Sequence, residues 1–306
     1  PEIEASTCRL FGPSGEPSWA YPVLVSTRLA SANGLSFEWI DFEGRSPTRA
    51  PLDAMLEGEV LGMVVRGAFP AAAMAEAVRR LGASETDLEP QPSSYFHGRS
   101  FGRLLTSESD LAAYFTGGAR AHAAVARLFE GTEAEGFLPQ LFSMLRRLGA
   151  DHDVRTARAA GGEPYLAVSF REMLPGGSIA LHYENEALDM PTMQDLARSL
   201  RVRAQLSVYL AMQLPERGGA LRVYDVREGT DACRAFIPRE RRSAETFSDL
   251  EASHRFIDLD AQVGDLLIFD ASRYFHRVTE VEGDTARWTM GCFLGSERTG
   301  DLVCWT

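Results

Sequence analysis

At 306 residues the chain is long enough for one large domain or two modest ones, and its 45% hydrophobic and 24% charged content is ordinary for a globular protein. A net charge of −12 opposes a phosphate backbone as partner, because binding one needs clustered cations. All 31 basic residues are Arg, which excludes lysine Schiff-base chemistry, a P-loop lysine and a lysine general base.

No apolar run approaches the roughly 20 residues that a bilayer crossing needs. Residues 1–5 lack the basic-then-apolar pattern of a secretory signal, so a cytoplasmic location is expected. Cys8, Cys233, Cys292 and Cys304 show no paired spacing and read as reduced, packed thiols. The Lys-free, Ala/Arg-rich usage is associated with GC-rich bacterial genomes.

Residues 1–58 mix Gly, Pro and Ser with short β-like runs at 21–25 and 36–40. Residues 59–66 read as a strand closed by Gly67. Pro70 then opens an Ala-rich helix over 71–81, with Met74, Val78 and Leu81 on one face and Gly82 as its stop. Beyond a Pro/Ser/Gly stretch near 90–102, helical periodicity runs to about residue 148 and is clearest over 121–129 and 137–148.

From residue 154 the period changes to two. Strands are expected at 165–170 and, after the Leu174-Pro175-Gly176-Gly177 turn, at 178–183. A short helix is expected over 192–200, a long strand over 205–213 and another at 220–224 beyond Gly218-Gly219. Residues 227–253 are charged and read as an irregular surface excursion. The last strands are expected at 256–259, 265–269 and 286–294. The class is therefore α+β and β-rich, with a jelly-roll core over 151–306. Residues 1–150 would supply mixed and helical support, the whole forming one integrated domain.

His182 and Glu184 are two residues apart, so on a strand both project from one face. Adding His276 makes two imidazoles and one carboxylate, a ligand set that leaves open positions on a non-haem Fe(II). The His182-x-Glu184 pair alone could equally be a hydrogen-bonded strand end. His122, His152 and His254 read as structural or exposed. His97, in an aromatic, glycine-flanked loop, is either structural or pocket-lining. Arg171 and Arg203 read as ordinary arginines flanking the sheet rather than as anion binders. Arg287 and Trp288 are adjacent, so strand parity sends them to opposite faces.

Residues 165–295 resemble the Fe(II)/2-oxoglutarate-dependent oxygenases, in particular their prolyl-hydroxylase-like branch. The resemblance is carried by His182-Tyr183-Glu184, by Ser207-Val208-Tyr209-Leu210 followed by Gly218-Gly219, and by Val263-Gly264-Asp265-Leu266. Phe275-His276-Arg277-Val278 and Arg287-Trp288-Thr289 complete it. It implies a double-stranded β-helix with His182, Glu184 and His276 as Fe(II) ligands at its open end, and O₂ and 2-oxoglutarate as cosubstrates. Arg287 would hold the far carboxylate of 2-oxoglutarate bidentately, and Thr289 would donate a hydroxyl to it.

Two departures stand out. Glu184 replaces the Asp usual in this branch, and no tyrosine is evident in the strand before the metal histidine, where Met173 and Ile179 fall. A halogenase of the superfamily has Gly or Ala in place of the carboxylate, so Glu184 speaks against halogenation. A nucleic-acid demethylase would carry a second Arg six residues after the first, where Phe293 stands.

The resemblance implies hydroxylation of an unactivated C–H in a small molecule, an amino acid or natural-product intermediate, with succinate and CO₂ as co-products. The same cofactors serve desaturation, cyclisation and epimerisation. A non-catalytic, cupin-like metal-binding jelly roll is the alternative from another class. Peptide and carrier-protein-tethered substrates stay open, and no nucleic-acid or membrane partner is expected. Residues 185–204 and 227–253 would carry specificity as lid segments.

Overall fold

The structure is a computed structural model, and it describes residues 25–30, 36–41, 51–83, 88, 90–93, 95–105, 111–149, 152–201, 204–236, 244–259 and 261–306. Short β-forming runs separated by turns give strands in this chain order: β1 (Val25–Ala30), β2 (Ser36–Asp41), β3 (Gly62–Arg66), β4 (Pro90–Pro92), β5 (Gly98–Phe101) and β6 (Val154–Thr156). They continue with β7 (Ser169–Met173), β8 (Ile179–His182), β9 (Leu206–Gln213), β10 (Arg217–Gly218), β11 (Leu221–Arg227) and β12 (Phe256–Leu259). The last are β13 (Leu266–Phe269), β14 (Tyr274–Val278), β15 (Val281–Glu282), β16 (Arg287–Ser296) and β17 (Leu302–Trp305).

Among the described residues, the large sheet has the order β1-β2-β3-β13-β9-β16-β7-β5-β4, with β17 on β16 and β6 on β17. A smaller sheet has the order β12-β11-β14-β8, and β10 pairs with β15. The pairs are antiparallel except β2 with β3 and β6 with β17. The result is a mixed α/β protein dominated by antiparallel sheets.

Alternation decides where each strand buries its side chains. Val64, Leu267 and Phe269 of the large sheet pack inward against Leu221, Val223 and Leu259 of the small one. The opposite face of the large sheet carries Val208, Leu210, Ile268, Trp288, Met290 and Leu294, which meet helices α2 (Ala71–Gly82), α3 (Leu111–Leu128) and α4 (Phe137–Leu148). Met74 and Leu81 of α2, Val125 and Leu128 of α3, and Leu141, Leu145 and Leu148 of α4 line that layer. The short α1 (Pro51–Leu56) adds Leu52, Met55 and Leu56. Truncating one such buried Leu to Ala costs about 2–5 kcal/mol. Because it is covered on both sides, β16 is buried along its whole length.

The helix over 71–81, the helix over 137–148 and the change to period two all match the expectation. Three local readings differ, at 165–168, 227–253 and 302–305. The run 165–168 is buried but is not a strand. Its backbone is claimed by side chains instead, with Leu166 N–H donating to the Tyr114 hydroxyl (2.9 Å) and Ala167 N–H to His122 Nε2 (3.1 Å). The strand begins only at Ser169.

Residues 227–253 are not irregular throughout. They contain α6 (Asp231–Phe236) and α7 (Ala244–Ser253), and Cys233 and Leu250 bury against Leu181, Tyr224 and Phe275. The helix expected over 192–200 is α5 (Gln194–Ser199). Leu302–Trp305 is a further strand that the periodicity does not announce. The strand expected over 59–66 is β3, and strands of the first 150 residues join the large sheet, β3 pairing with β13 and β5 with β7. No helix among the described residues is long and apolar enough to cross a membrane.

Candidate functional site: a histidine–carboxylate cluster facing two arginines

β8 and β14 pair antiparallel with His182 opposite His276, placing their ring centroids 4.2 Å apart. Each imidazole is tied back to its own strand. His182 Nδ1 lies 2.7 Å from the Ala180 carbonyl and His276 Nδ1 lies 3.0 Å from the Tyr274 carbonyl. These bonds place a proton on each Nδ1 and leave each Nε2 as the ligating atom.

Glu184 arrives differently from the sequence expectation. The strand ends at His182, and Glu184 opens a 3-10 turn over Glu184–Asp189. Its N–H donates to the Ala271 carbonyl (2.8 Å), and its own carbonyl accepts from Gln205 Nε2 (2.5 Å). Its Oε1 lies 3.3 Å from His182 Nε2 and 3.8 Å from His276 Nε2. The three candidate ligand atoms fall within 4.8 Å of one another, and no other such cluster occurs among the described residues. Ligand atoms at right angles about 2.1 Å from a shared ion would be about 3 Å apart, so this donor set fits a first-row metal.

One turn positions both halves of the cluster. Asp270, fully buried, accepts from Ser272 Oγ (2.8 Å) and Arg273 Nε (2.6 Å), while Asp270 N–H donates to Leu61 O (2.8 Å). Arg273 in turn donates to the Met55 carbonyl (2.5 Å). The turn thereby fixes both Ala271 O, which receives Glu184, and the start of the His276 strand. At the other end of β13, the Gly264-Asp265 step is also structural. A Cβ on Gly264 would stand 2.1 Å from the Phe69 carbonyl, and Asp265 accepts from Gly67 N–H (3.0 Å) and Gln262 N–H (2.7 Å) while pairing with Arg66.

Burial alone would raise the Glu184 carboxyl, but hydrogen bonds and charge from both imidazoles hold it well below the ordinary carboxylate range. Burial lowers His182 less than Glu184 raises it, so His182 ends above its usual value. For His276, burial dominates and His182 adds to it, so this imidazole is held below its usual value.

The opposite wall belongs to the large sheet. Arg287 and Thr289 sit on the inner face of β16, 7% and 4% exposed, while Trp288 turns to the helices. Parity does separate Arg287 from Trp288, yet neither meets solvent, because this strand is covered on both faces. The Arg287 guanidinium lies 5.5 Å from the centre of the Tyr209 ring, near enough for its charge to act on the phenol. Burial pushes the Tyr209 phenol up to about 12 despite this arginine, so it stays a neutral hydroxyl. The Gly218-Gly219 turn is what lets Arg287 lie there. Gly219 has φ +64°, and a Cβ on it would meet the Arg287 Cδ at 3.0 Å and the Pro215 ring at 2.9 Å.

Sequence reading misses two residues of this wall. Tyr209, on β9, brings a phenol beside Arg287. The signal was parity, since Leu206, Val208 and Leu210 face the helices and send Ser207 and Tyr209 to the cavity. Arg171 on β7 pairs across the sheet with Thr289, and its side chain runs over Gly291, where a Cβ would lie 3.6 Å from its guanidinium carbon. Between the walls is a pocket of about 240 Å³ lined by His182, Glu184, Arg171, Phe96, Met190 and Phe293, among others.

Of the two expected lid segments, residues 186–190 do line this pocket, whereas no described residue of 227–253 does. His97 is exposed and holds the Pro175 carbonyl (3.2 Å), leaving the neighbouring Tyr95 and Phe96 to line the pocket. His152 and His254 pair with Asp53 and Asp225. Cys233, Cys292 and Cys304 are buried, whereas Cys8 and Arg203 lie outside the described residues.

Facing sheets that close on a His-x-Glu and distant His cluster place this protein among the Fe(II)/2-oxoglutarate-dependent oxygenases, with iron and 2-oxoglutarate as its cofactors. The particular family follows from the sequence. Residues 36–306 match the family described as carrier-protein-independent halogenase WelO5, and the chain belongs to it.

No curated protein matches the chain. Among solved structures, the fold is similar to an N-substituted L-amino acid dioxygenase from Burkholderia ambifaria AMMD, with TM-score 0.53 and 18% identity over 83% of this chain and 90% of that one. The same enzyme with alpha-KG bound aligns at TM-score 0.53 and 19% identity over the same 83% and 90%. HygX from Streptomyces hygroscopicus with nickel and 2-oxoglutarate bound is a remoter likeness, at TM-score 0.42 and 16% identity over 81% and 86% of the chains. The first two support the shared fold, and the third carries no argument.

Proposed function

We propose that this protein hydroxylates an unactivated C–H bond of a small molecule, with His182, Glu184 and His276 holding Fe(II) and Arg287 and Thr289 holding 2-oxoglutarate. The two facing sheets are then a double-stranded β-helix in one integrated domain, a reading supported by the chain's repeated passage between them at β7–β8–β9 and β13–β14–β16. When bound, the iron with 2-oxoglutarate and O₂ supplies the oxidising power, and 2-oxoglutarate leaves as succinate and CO₂.

The chain's own residues do the rest. The Nδ1 bonds of the two histidines keep both Nε2 atoms free for the ion. The Asp270 turn holds Glu184 against them, and the Arg287–Tyr209 pair offers a charged fork and a hydroxyl to a carboxylate. The apolar lining by Phe96, Met190 and Phe293 keeps water from the reacting C–H.

Glu184 carries the reading. A carboxylate with Oε1 3.3 and 3.8 Å from the two imidazoles fills the position that chloride would need. The second reading, halogenation, is favoured by the description of the family. The test supplies Fe(II), 2-oxoglutarate, O₂ and chloride to the protein with a panel of amino acids and natural-product intermediates, following succinate and product mass. Substrate-stimulated succinate with a gain of one oxygen is expected. Replacement of hydrogen by chlorine would establish the second reading, and loss of two hydrogens would mean desaturation.

A further inference from the structure

Arg171 is a cationic part of the pocket wall that the proposed chemistry leaves unused. Its guanidinium lines the same pocket as His182 and Glu184, and its Nε is buried without a hydrogen-bond partner. Among the described residues it forms no ion pair, and Glu184 is the only carboxylate whose charge it feels. The other acid of the lining, Glu186, is partly exposed and acts on His182 instead. Holding this half-buried guanidinium with its Nε unsatisfied, and with only the carboxylate of the candidate metal cluster near it, is costly.

Charge counting shows that the cosubstrate does not neutralise it. An Fe(II) held by one carboxylate keeps one net positive charge, and Arg287 adds another. Doubly charged 2-oxoglutarate balances those two, and Arg171 is left over. Placement agrees with the count. Arg287 packs against Gly219 and Tyr209 and is not in the pocket lining, whereas Arg171 reaches over Gly291 toward Phe293 and Thr306.

Building on the oxygenase reading, we propose that Arg171 anchors a carboxylate of the substrate, whose compact apolar skeleton lies along Phe96, Leu104, Ile179, Leu181, Met190 and Phe293. One guanidinium fork suits one planar monoanion, held bidentately. A phosphate dianion would exceed the single free charge, and about 240 Å³ suits a small skeleton better than a peptide. Anchoring the carboxylate would fix which carbon faces the metal ligands, making Arg171 a specificity-determining residue.

The probes are 3-phenylpropionate and its uncharged amide, titrated calorimetrically into the metal-free chain and into the chain with Fe(II) and 2-oxoglutarate under anaerobic conditions. Wild type should prefer the carboxylate at least about 10-fold, the range of a charge-assisted hydrogen bond. Arg171→Gln should abolish the preference, Arg171→Lys should keep part of it, and Arg287→Gln should keep it in full. Thermal melting checks that each variant is folded, and the lysine variant carries the test if Arg171→Gln is not.

No preference in wild type, or an unchanged one in Arg171→Gln, overturns the proposal. Loss of 2-oxoglutarate binding in Arg171→Gln equal to that in Arg287→Gln also overturns it, by making Arg171 a cosubstrate residue. A carboxylate preference without any iron–2-oxoglutarate complex would instead overturn the oxygenase reading and leave the anchor standing.

Discussion

The two histidines lie on one sheet and Arg287 and Arg171 on the sheet that faces it, and they are held there by different means. His182 and His276 are fixed by hydrogen bonds to their own strands and by direct cross-strand pairing, with Glu184 locked to the Asp270 turn. Arg287 and Arg171 are fixed by packing, in one case against Tyr209 and a two-glycine turn, in the other over a glycine. The metal end is thus complete within the protein. The arginine wall is left with positive charge, which on the proposed function the bound carboxylates would balance.

The largest effect should come from breaking the metal end. His276→Ala removes a ligand, and Fe(II) affinity measured by anaerobic titration should fall by more than the roughly 10–100-fold that loss of an outer-shell partner costs. The fold should survive, because the histidine's neighbours on β11 and β8 stay paired. An affinity unchanged from wild type would remove His276 from the ligand set.

Breaking the arginine wall should leave iron binding intact and act on the cosubstrate. Arg287→Gln should raise the KM for 2-oxoglutarate roughly 10–100-fold, the worth of a charged hydrogen-bonded contact. Tyr209→Phe should raise it only about fivefold, as for one neutral hydrogen bond of ~1 kcal/mol. If Tyr209→Phe proved the more damaging, the hydroxyl and not the guanidinium would be the principal anchor.

The smallest effect concerns the outer face of the metal-bearing sheet. There Glu251 of α7 joins Arg277, the residue after His276, and Tyr224 and Arg222 of β11. Burial pushes this carboxyl up, but its three partners prevail and hold it at about 2. A depressed carboxylate stabilises the fold at pH values above its ordinary range near 4.5, and the contribution is lost as pH falls toward 2. The group is partly exposed, so no more than about 1–2 kcal/mol is expected. Wild type should therefore lose more Tm between those pH values than Glu251→Gln does, and parallel losses would show the network to be idle.

The same contrast explains what could be read from the sequence. His182, Glu184 and His276 were legible because ligand chemistry restricts the residue types and a strand–turn pattern flanks each of them. Even so, Glu184 reaches its place from a 3-10 turn rather than from the strand, since its N–H is taken by Ala271 across the fold. Arg171 and Tyr209 were harder to read, because an arginine in a chain with 31 of them carries no local mark. Its significance comes only from its place in the pocket wall and from its buried, unsatisfied Nε, both tertiary facts. The helices of 231–253 were obscured by their charged surface residues, while Leu250 and Cys233 supply the contacts that hold them.

The most direct test of the account is the absorption spectrum of the protein with Fe(II) and 2-oxoglutarate under anaerobic conditions. A weak visible charge-transfer band should appear, should vanish in His182→Ala, and should need a higher 2-oxoglutarate concentration in Arg287→Gln. Folded wild-type protein that shows no band would contradict the assignment of the cluster as an iron site that binds 2-oxoglutarate.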